Sequence, residues 1–194
     1  SIQTFESLLE ALRAPYWPGE HGTALGLWRP VTTGLLGLQW IAGGSSALVF
    51  HAVNVALHVV GSLLVVAVLL RLMSLPVAFV AGLIFAVHPV HTEAVAGVVG
   101  FAELLSGVAV LGACLIHLRG GSRSSWGASA AIAALYAVGF GAKESAVTLP
   151  GLIFLLDAAR GRLGWRELPA YLAARWRVYA AMLPVAVALL AGRY

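Results

Sequence analysis

The sequence predicts an all-α, polytopic bundle of about six membrane-spanning helices, preceded by a segment lying on the outer membrane face. Three observations predict it. Charged residues make up 10% of the 194, against about a quarter in a water-soluble domain. The apolar runs are long and continuous, with a mean hydropathy of +0.92, whereas membrane β-barrel strands alternate at period two. The basic residues also collect in alternate loops between the runs, as topology signals do. A net charge of +4 in such a chain speaks of loop placement, not of nucleic acid. The single Cys114 lies inside an apolar run, which excludes a disulfide framework.

Taken in order, residues 1–13 (SIQTFESLLEALR) read as a short amphipathic helix, with Phe5, Leu8, Leu9 and Leu12 on one face and Glu6, Glu10 and Arg13 on the other. They lack the basic start of a signal peptide. Both ends of the chain read as cuts through a longer protein. Residues 1–45 form the outer segment and 46–194 the bundle. The clearest span is 46–70, about 37 Å of helix at 1.5 Å per residue, enough to cross about 30 Å of hydrocarbon with tilt. Pro89 divides the next apolar region, because proline breaks the helical ladder and disfavours helix at the residue before it. Spans are therefore expected at 72–88 and 92–118, then a turn at 119–125. A fourth span follows at 126–142, and a fifth at 145–159 kinked at Pro150. A basic, Trp-containing stretch at 160–177 is expected on the interface, with a sixth span beginning at 178–191.

Alternating these spans puts Arg71, Arg119, Arg123, Arg160, Arg162, Arg166, Arg175 and Arg177 on one side, eight of the twelve Lys and Arg residues. By the positive-inside rule that side is cytoplasmic. Three polar motifs then share the outer side: LWRPVTT (27–33), HPVHTE (88–93) and AKESA (142–146).

Each motif reads in two ways. HPVHTE is either a turn whose new helix begins at Thr92 with Glu93 near its N-terminus, or a site in which Glu93 is acid or base and His88 and His91 are donors. His-x-x-His alone is too short for a metal signature, and no metal is expected. His51, Asn54 and His58 share one helix face. They either bond to neighbouring helices or, with His117, offer axial ligands to a haem or chlorophyll. Glu103 is expected inside a span, on the face of Ala96 and Val99 rather than of Glu93. An acid there is a functional candidate. Lys143 and Glu144 either pair at a helix end or, with Arg29, meet a phosphate.

Four ordered stretches carry a family resemblance: WRPVTTGLLGLQW, FHAVNVALHVVGSLLV, AGLIFAVHPVHTEAVAGVVGFAELLSGV and AKESAVTLPGLIFLLD. Together, over residues 28–157, they resemble the membrane region of the transmembrane O-mannosyltransferases that carry tetratricopeptide repeats, and their bacterial relatives. The resemblance implies a GT-C glycosyltransferase bundle in a bacterial inner membrane, an outer-face active site and a polyprenyl-phosphate sugar as donor. It carries over Arg29, His88, His91, Glu93, Glu103, Lys143 and Glu144. It departs at Phe101, where the family commonly has Arg, and at the family's first-loop acidic pair, which would fall before Ser1. Expected partners are membrane lipids and the lipid-linked sugar. A second expectation is a non-catalytic subunit of a larger, energy-transducing membrane complex that reuses the bundle; a pigment or haem and partner subunits belong only to that alternative.

Overall fold

A computed structural model describes residues 7, 10–12, 14, 16, 27–120, 125–161 and 167–192. Expectations for Glu6, Arg13, Arg123, Arg162 and Arg166 lie outside them. The described residues form helices and turns without strands. From residue 27 on, the helices among the described residues are, in order, α1 (Pro30–Gly43), α2 (Ala47–Leu69), α3 (Leu75–Val87), α4 (Thr92–Ala96), α5 (Phe101–Arg119), α6 (Trp126–Ala142), α7 (Leu149–Ala159) and α8 (Leu168–Ala191). Short 3-10 turns precede α4, α5 and α7.

Three stretches are long and apolar enough to cross a membrane: Ala47–Leu69, Val98–Arg119 and Leu168–Ala191. A fourth, Leu75–Val87 with Pro89–Ala96, qualifies only as a broken pair bent by 45°. The chain is thus an all-α integral membrane bundle with three to four such spans among its described residues. The six expected from sequence fall short because α6 has 17 residues and α7 has 11. At 1.5 Å per residue α7 is about 16 Å long.

The core forms where α5 and α6 pack together, with α2, α7 and α8 around them. Ala113, Leu118, Ile132, Tyr136, Leu149, Ile153, Val178 and Met182 are its buried centre. Cys114 is buried there as a free thiol. The outer helix faces stay apolar: Leu63, Phe79 and Leu183 are exposed, as lipid-facing positions are in a membrane bundle.

Three boundaries differ from the sequence expectation, each for a local reason. The expected span at 92–118 is interrupted by Gly97 and the Val98–Gly100 turn. A side chain at Gly100 would meet the backbone of Ala94, so only glycine permits this fold-back. Pro150 stands in the first turn of α7, where a missing N–H costs nothing; it starts the helix and does not kink it. Within the expected interfacial stretch, Arg160 and Gly161 form a turn and the residues from Leu168 on belong to a helix continuous to Ala191. Its Tyr171, Arg175, Val178 and Met182 make one buried stripe at helical spacing.

The bundle's two ends differ. At one, Arg71 follows α2, Arg119 closes α5, and Arg160 donates to Leu118 O at 3.3 Å. There Trp126 and Trp176 stack edge to face at 5.4 Å, with Arg177 over both rings. The three polar motifs meet at the other end.

Candidate functional site

The site is assembled from four breaks in the helices. Arg29 stands just before Pro30, which opens α1. Its guanidinium forks onto Glu144, with Nε donating to Oε1 at 3.2 Å and Nη2 to Oε2 at 2.8 Å. The ring of Tyr16 lies 5.0 Å beneath it. Burial works against this charge, but the hydrogen bonds and charge of Glu144 outweigh it and raise the Arg29 pKa further. Buried Thr32 donates to Ala142 O at 2.8 Å, which fastens α1 to the end of α6.

Lys143 closes α6 in an extended conformation. Successive side chains diverge in extended backbone, so neighbouring residues reach different helices. Glu144 takes Arg29, while Lys143 donates to Glu103 of α5. The charges therefore alternate: Arg29, Glu144, Lys143, Glu103. Both pairs are partly exposed, at 13% and 24% for Arg29–Glu144 and 24% and 54% for Lys143–Glu103.

Beside this row opens a cleft of about 750 Å³ between α2, the α3–α4 turn and α5. Glu93, Glu103, His58 and His91 supply its polar lining. Its apolar wall follows one face of α5 from Leu104 through Val108 to Leu111, with Leu57 and Gly61 of α2 opposite. From Glu103 to Leu111 this face runs about 12 Å. Glu103 lies within the Val98–Arg119 stretch, near its start, but the expectation that it turns away from Glu93 is not met. The break at Gly97–Gly100 puts Glu103 in the first turn of α5, and both acids line one cleft. Among the described residues no ion pair is formed by Glu93.

Asn54 holds that break in place. It is 1% exposed and its amide donates to Gly97 O at 2.9 Å, with longer contacts to Ala94 O and Val95 O. An α2 side chain thus serves carbonyls that a five-residue helix leaves unpaired.

The histidines follow the same bend. The extended conformation of His88 before Pro89 turns the chain. His88 Nδ1 accepts from Val90 N–H at 3.1 Å. His58 Nε2 meets Ala86 O at 2.9 Å. The His91 ring lies 4.3 Å from Phe85 and 5.2 Å from His58 by centroid. His51 is exposed on α2. His51, His58, His88, His91 and Thr92 line a second pocket of about 340 Å³. Among the described residues no group of His, Cys, Asp and Glu is arranged to hold a metal ion.

His117 is placed elsewhere. It is buried near the arginine-rich end, and its Nε2 meets Asp157 Oδ2 at 2.9 Å, so that nitrogen is engaged within the protein. Arg175 joins them, its Nε donating to the same oxygen at 3.1 Å. Asp157 and Arg175 are 0% and 3% exposed. Sequence reasoning missed this pair by reading Arg175 as an interfacial charge. The available signal was Asp157 itself, a lone acid in LIFLLDAA, which must find a partner at that depth.

The fold defines the class: an integral membrane helical protein with an acid-lined cleft at one end of its bundle. The particular kinship comes from sequence. Protein O-mannosyl-transferase Tmtc1 of Drosophila melanogaster is 39% identical over 157 residues, covering 77% of this chain and 18% of that protein. Tmtc2 of the same fly is 40% identical over 154 residues, 75% of this chain and 16% of that protein. Human TMTC3 is 36% identical over 128 residues, 64% of this chain and 14% of that protein. The chain is homologous to one stretch of these transferases, as the four motifs imply, and spans less than a fifth of their length. No family model and no solved structure matches it.

Proposed function

We propose that the chain is the donor-handling part of a glycosyltransferase. It would move a sugar from a polyprenyl-phosphate carrier to a hydroxyl group at the outer face of a bacterial inner membrane. The observation that carries this reading is the cleft, whose lining joins two carboxylates, Glu93 and Glu103, to an apolar wall along α5. A phosphate-bearing polyprenyl lipid has that division of character. Its tail suits Leu104, Val108 and Leu111, and its head reaches the charged row.

The residues divide the work by their surroundings. Glu93 takes the proton of the acceptor hydroxyl as general base. Lys143 and Arg29 meet the phosphate as it leaves the sugar, and Glu103 and Glu144 hold these cations in place beforehand. His91 and His88 donate hydrogen bonds at the rim. In this reading the arginine-rich end faces the cytoplasm, and residues 1–45 cover the outer face of the 46–194 bundle. The relatives are named protein O-mannosyl-transferases, which supports a protein hydroxyl as acceptor.

The deciding variant is Glu93→Gln in the full-length protein, assayed with a polyprenyl-phosphate sugar. It keeps size and most hydrogen bonding but removes the base. Turnover is expected to fall by about 100-fold or more, with the melting temperature little changed because Glu93 is exposed. Unchanged turnover would remove Glu93 from the chemistry.

A second reading keeps the bundle and drops the chemistry: a non-catalytic subunit of a larger membrane complex. It is favoured by one observation, that Arg29 and Lys143 are both already paired to acids of this chain. Full-length protein that transfers no lipid-linked sugar but purifies with stoichiometric membrane partners would decide for it.

A further inference from the structure

The cleft accounts for Glu93 and Glu103 but leaves the second pocket without a role. The two cavities lie on opposite faces of α4: Glu93, Ala94 and Gly97 face the cleft, while Thr92, Val95 and Ala96 face the pocket. His58 and His91 line both and form the partition.

The pocket's lining narrows its ligand. Among the described residues no Lys, Arg, Asp or Glu lines it, so a charged group would lose water without gaining a counter-ion there. No metal-holding group exists among the described residues. Five of the nine described residues that line it are His or Thr, which disfavours a lipid tail. Two backbone contacts also set the imidazoles. The contact to Ala86 O makes His58 Nε2 a donor, and with one proton on the ring its Nδ1 is an acceptor. The bond from Val90 N–H makes His88 Nδ1 an acceptor, which leaves its Nε2 the donor. A lining that offers both roles matches a hydroxyl, which donates and accepts at one atom; a carbonyl or phosphate oxygen only accepts.

We propose that this pocket, lined by His51, His58, His88, His91 and Thr92, binds a neutral hydroxyl group carried on the acceptor beside the one that reacts. The acceptor's part in this rests on the transfer reading above. Thr92 and Glu93 are consecutive and both exposed, so an extended peptide crossing α4 sets one hydroxyl by Glu93 and a neighbouring one in the pocket. The pocket then selects acceptors in which hydroxylated residues are clustered.

The test is equilibrium binding, without turnover, to the full-length protein in lipid nanodiscs. Two peptide probes are compared, one with a single Thr among Ala residues and one with several consecutive Thr residues. Undecaprenyl phosphate is titrated separately. The clustered peptide is expected to bind roughly tenfold tighter, the scale of one or two hydrogen bonds. Thr92→Val, which keeps shape, and His51→Phe, on an exposed position, are each expected to erase that preference while undecaprenyl phosphate binds as before. Equal affinity for the two peptides in the unaltered protein overturns the inference, as does a preference that survives both substitutions. If undecaprenyl phosphate binds and neither peptide does, the subsite falls and the donor reading stands. If none of the three binds, both fall.

Discussion

Two polar networks of similar composition sit at opposite ends of this bundle, and they differ in burial. Asp157, His117 and Arg175 are almost wholly buried and tie α5, α7 and α8 together. Arg29, Glu144, Lys143 and Glu103 also link separate helices, but in partial contact with solvent. A buried pair is costly to assemble, and losing one member strands an uncompensated charge. An exposed pair is cheap to open and therefore free to change partners. The contrast teaches that burial, not residue type, separates a fastening from a site.

Substitutions can break or sharpen that contrast. The largest stability effect is expected at the buried end. Arg175→Ala leaves Asp157 without its guanidinium and should cost about 3–5 kcal/mol, read as loss of folded protein in a detergent melt. Pairing Arg175→Met with Asp157→Leu removes both charges and should recover much of that loss. If the single change is silent, α8 does not depend on this network.

Next comes the bend that brings Glu93 and Glu103 together. Asn54→Leu withdraws the donor from Gly97 O and should cost about 1–3 kcal/mol. Gly100→Ala forces a methyl against Ala94 backbone, an overpacking of about 1–3 kcal/mol. Both should also disturb the cleft, measured as weaker binding of undecaprenyl phosphate. A melt shift with lipid binding intact would separate the bend from the site.

The smallest stability effect is expected at Lys143→Ala. Its pair with Glu103 is partly exposed, so about 0.2–1 kcal/mol is at stake. Its larger consequence should be weaker binding of the lipid phosphate. A melt shift of several kcal/mol there would make this pair a fastening like the buried one and erase the comparison.

Legibility followed the range of the interaction. Pro89 announced the bend because proline acts on its own peptide and the one before. The shared face of Asn54 and His58 was readable from helical spacing, and both meet neighbouring backbone, at Gly97 O and Ala86 O. The break at Gly97–Gly100 was not readable: glycine is tolerated in apolar helices, and the contact that requires it lies across the fold-back. Arg175 was misread for a related reason. An arginine close to Trp176 resembles an interfacial anchor until the acid it pairs with, 18 residues earlier, is brought alongside.

By itself the sequence determined the helical membrane class, the long span through Ala47–Leu69, the bend at Pro89 and the kinship to O-mannosyl-transferases. Those depend on composition, local backbone sterics and the order of motifs along the chain. Only the tertiary structure decided that Arg29 meets Glu144, that Lys143 meets Glu103, that Glu93 and Glu103 share a cleft, and that Asp157 closes on His117 and Arg175. Charges 115 and 40 residues apart attract over a few ångströms, and no spacing along the chain states which helix ends the packed core will bring that close.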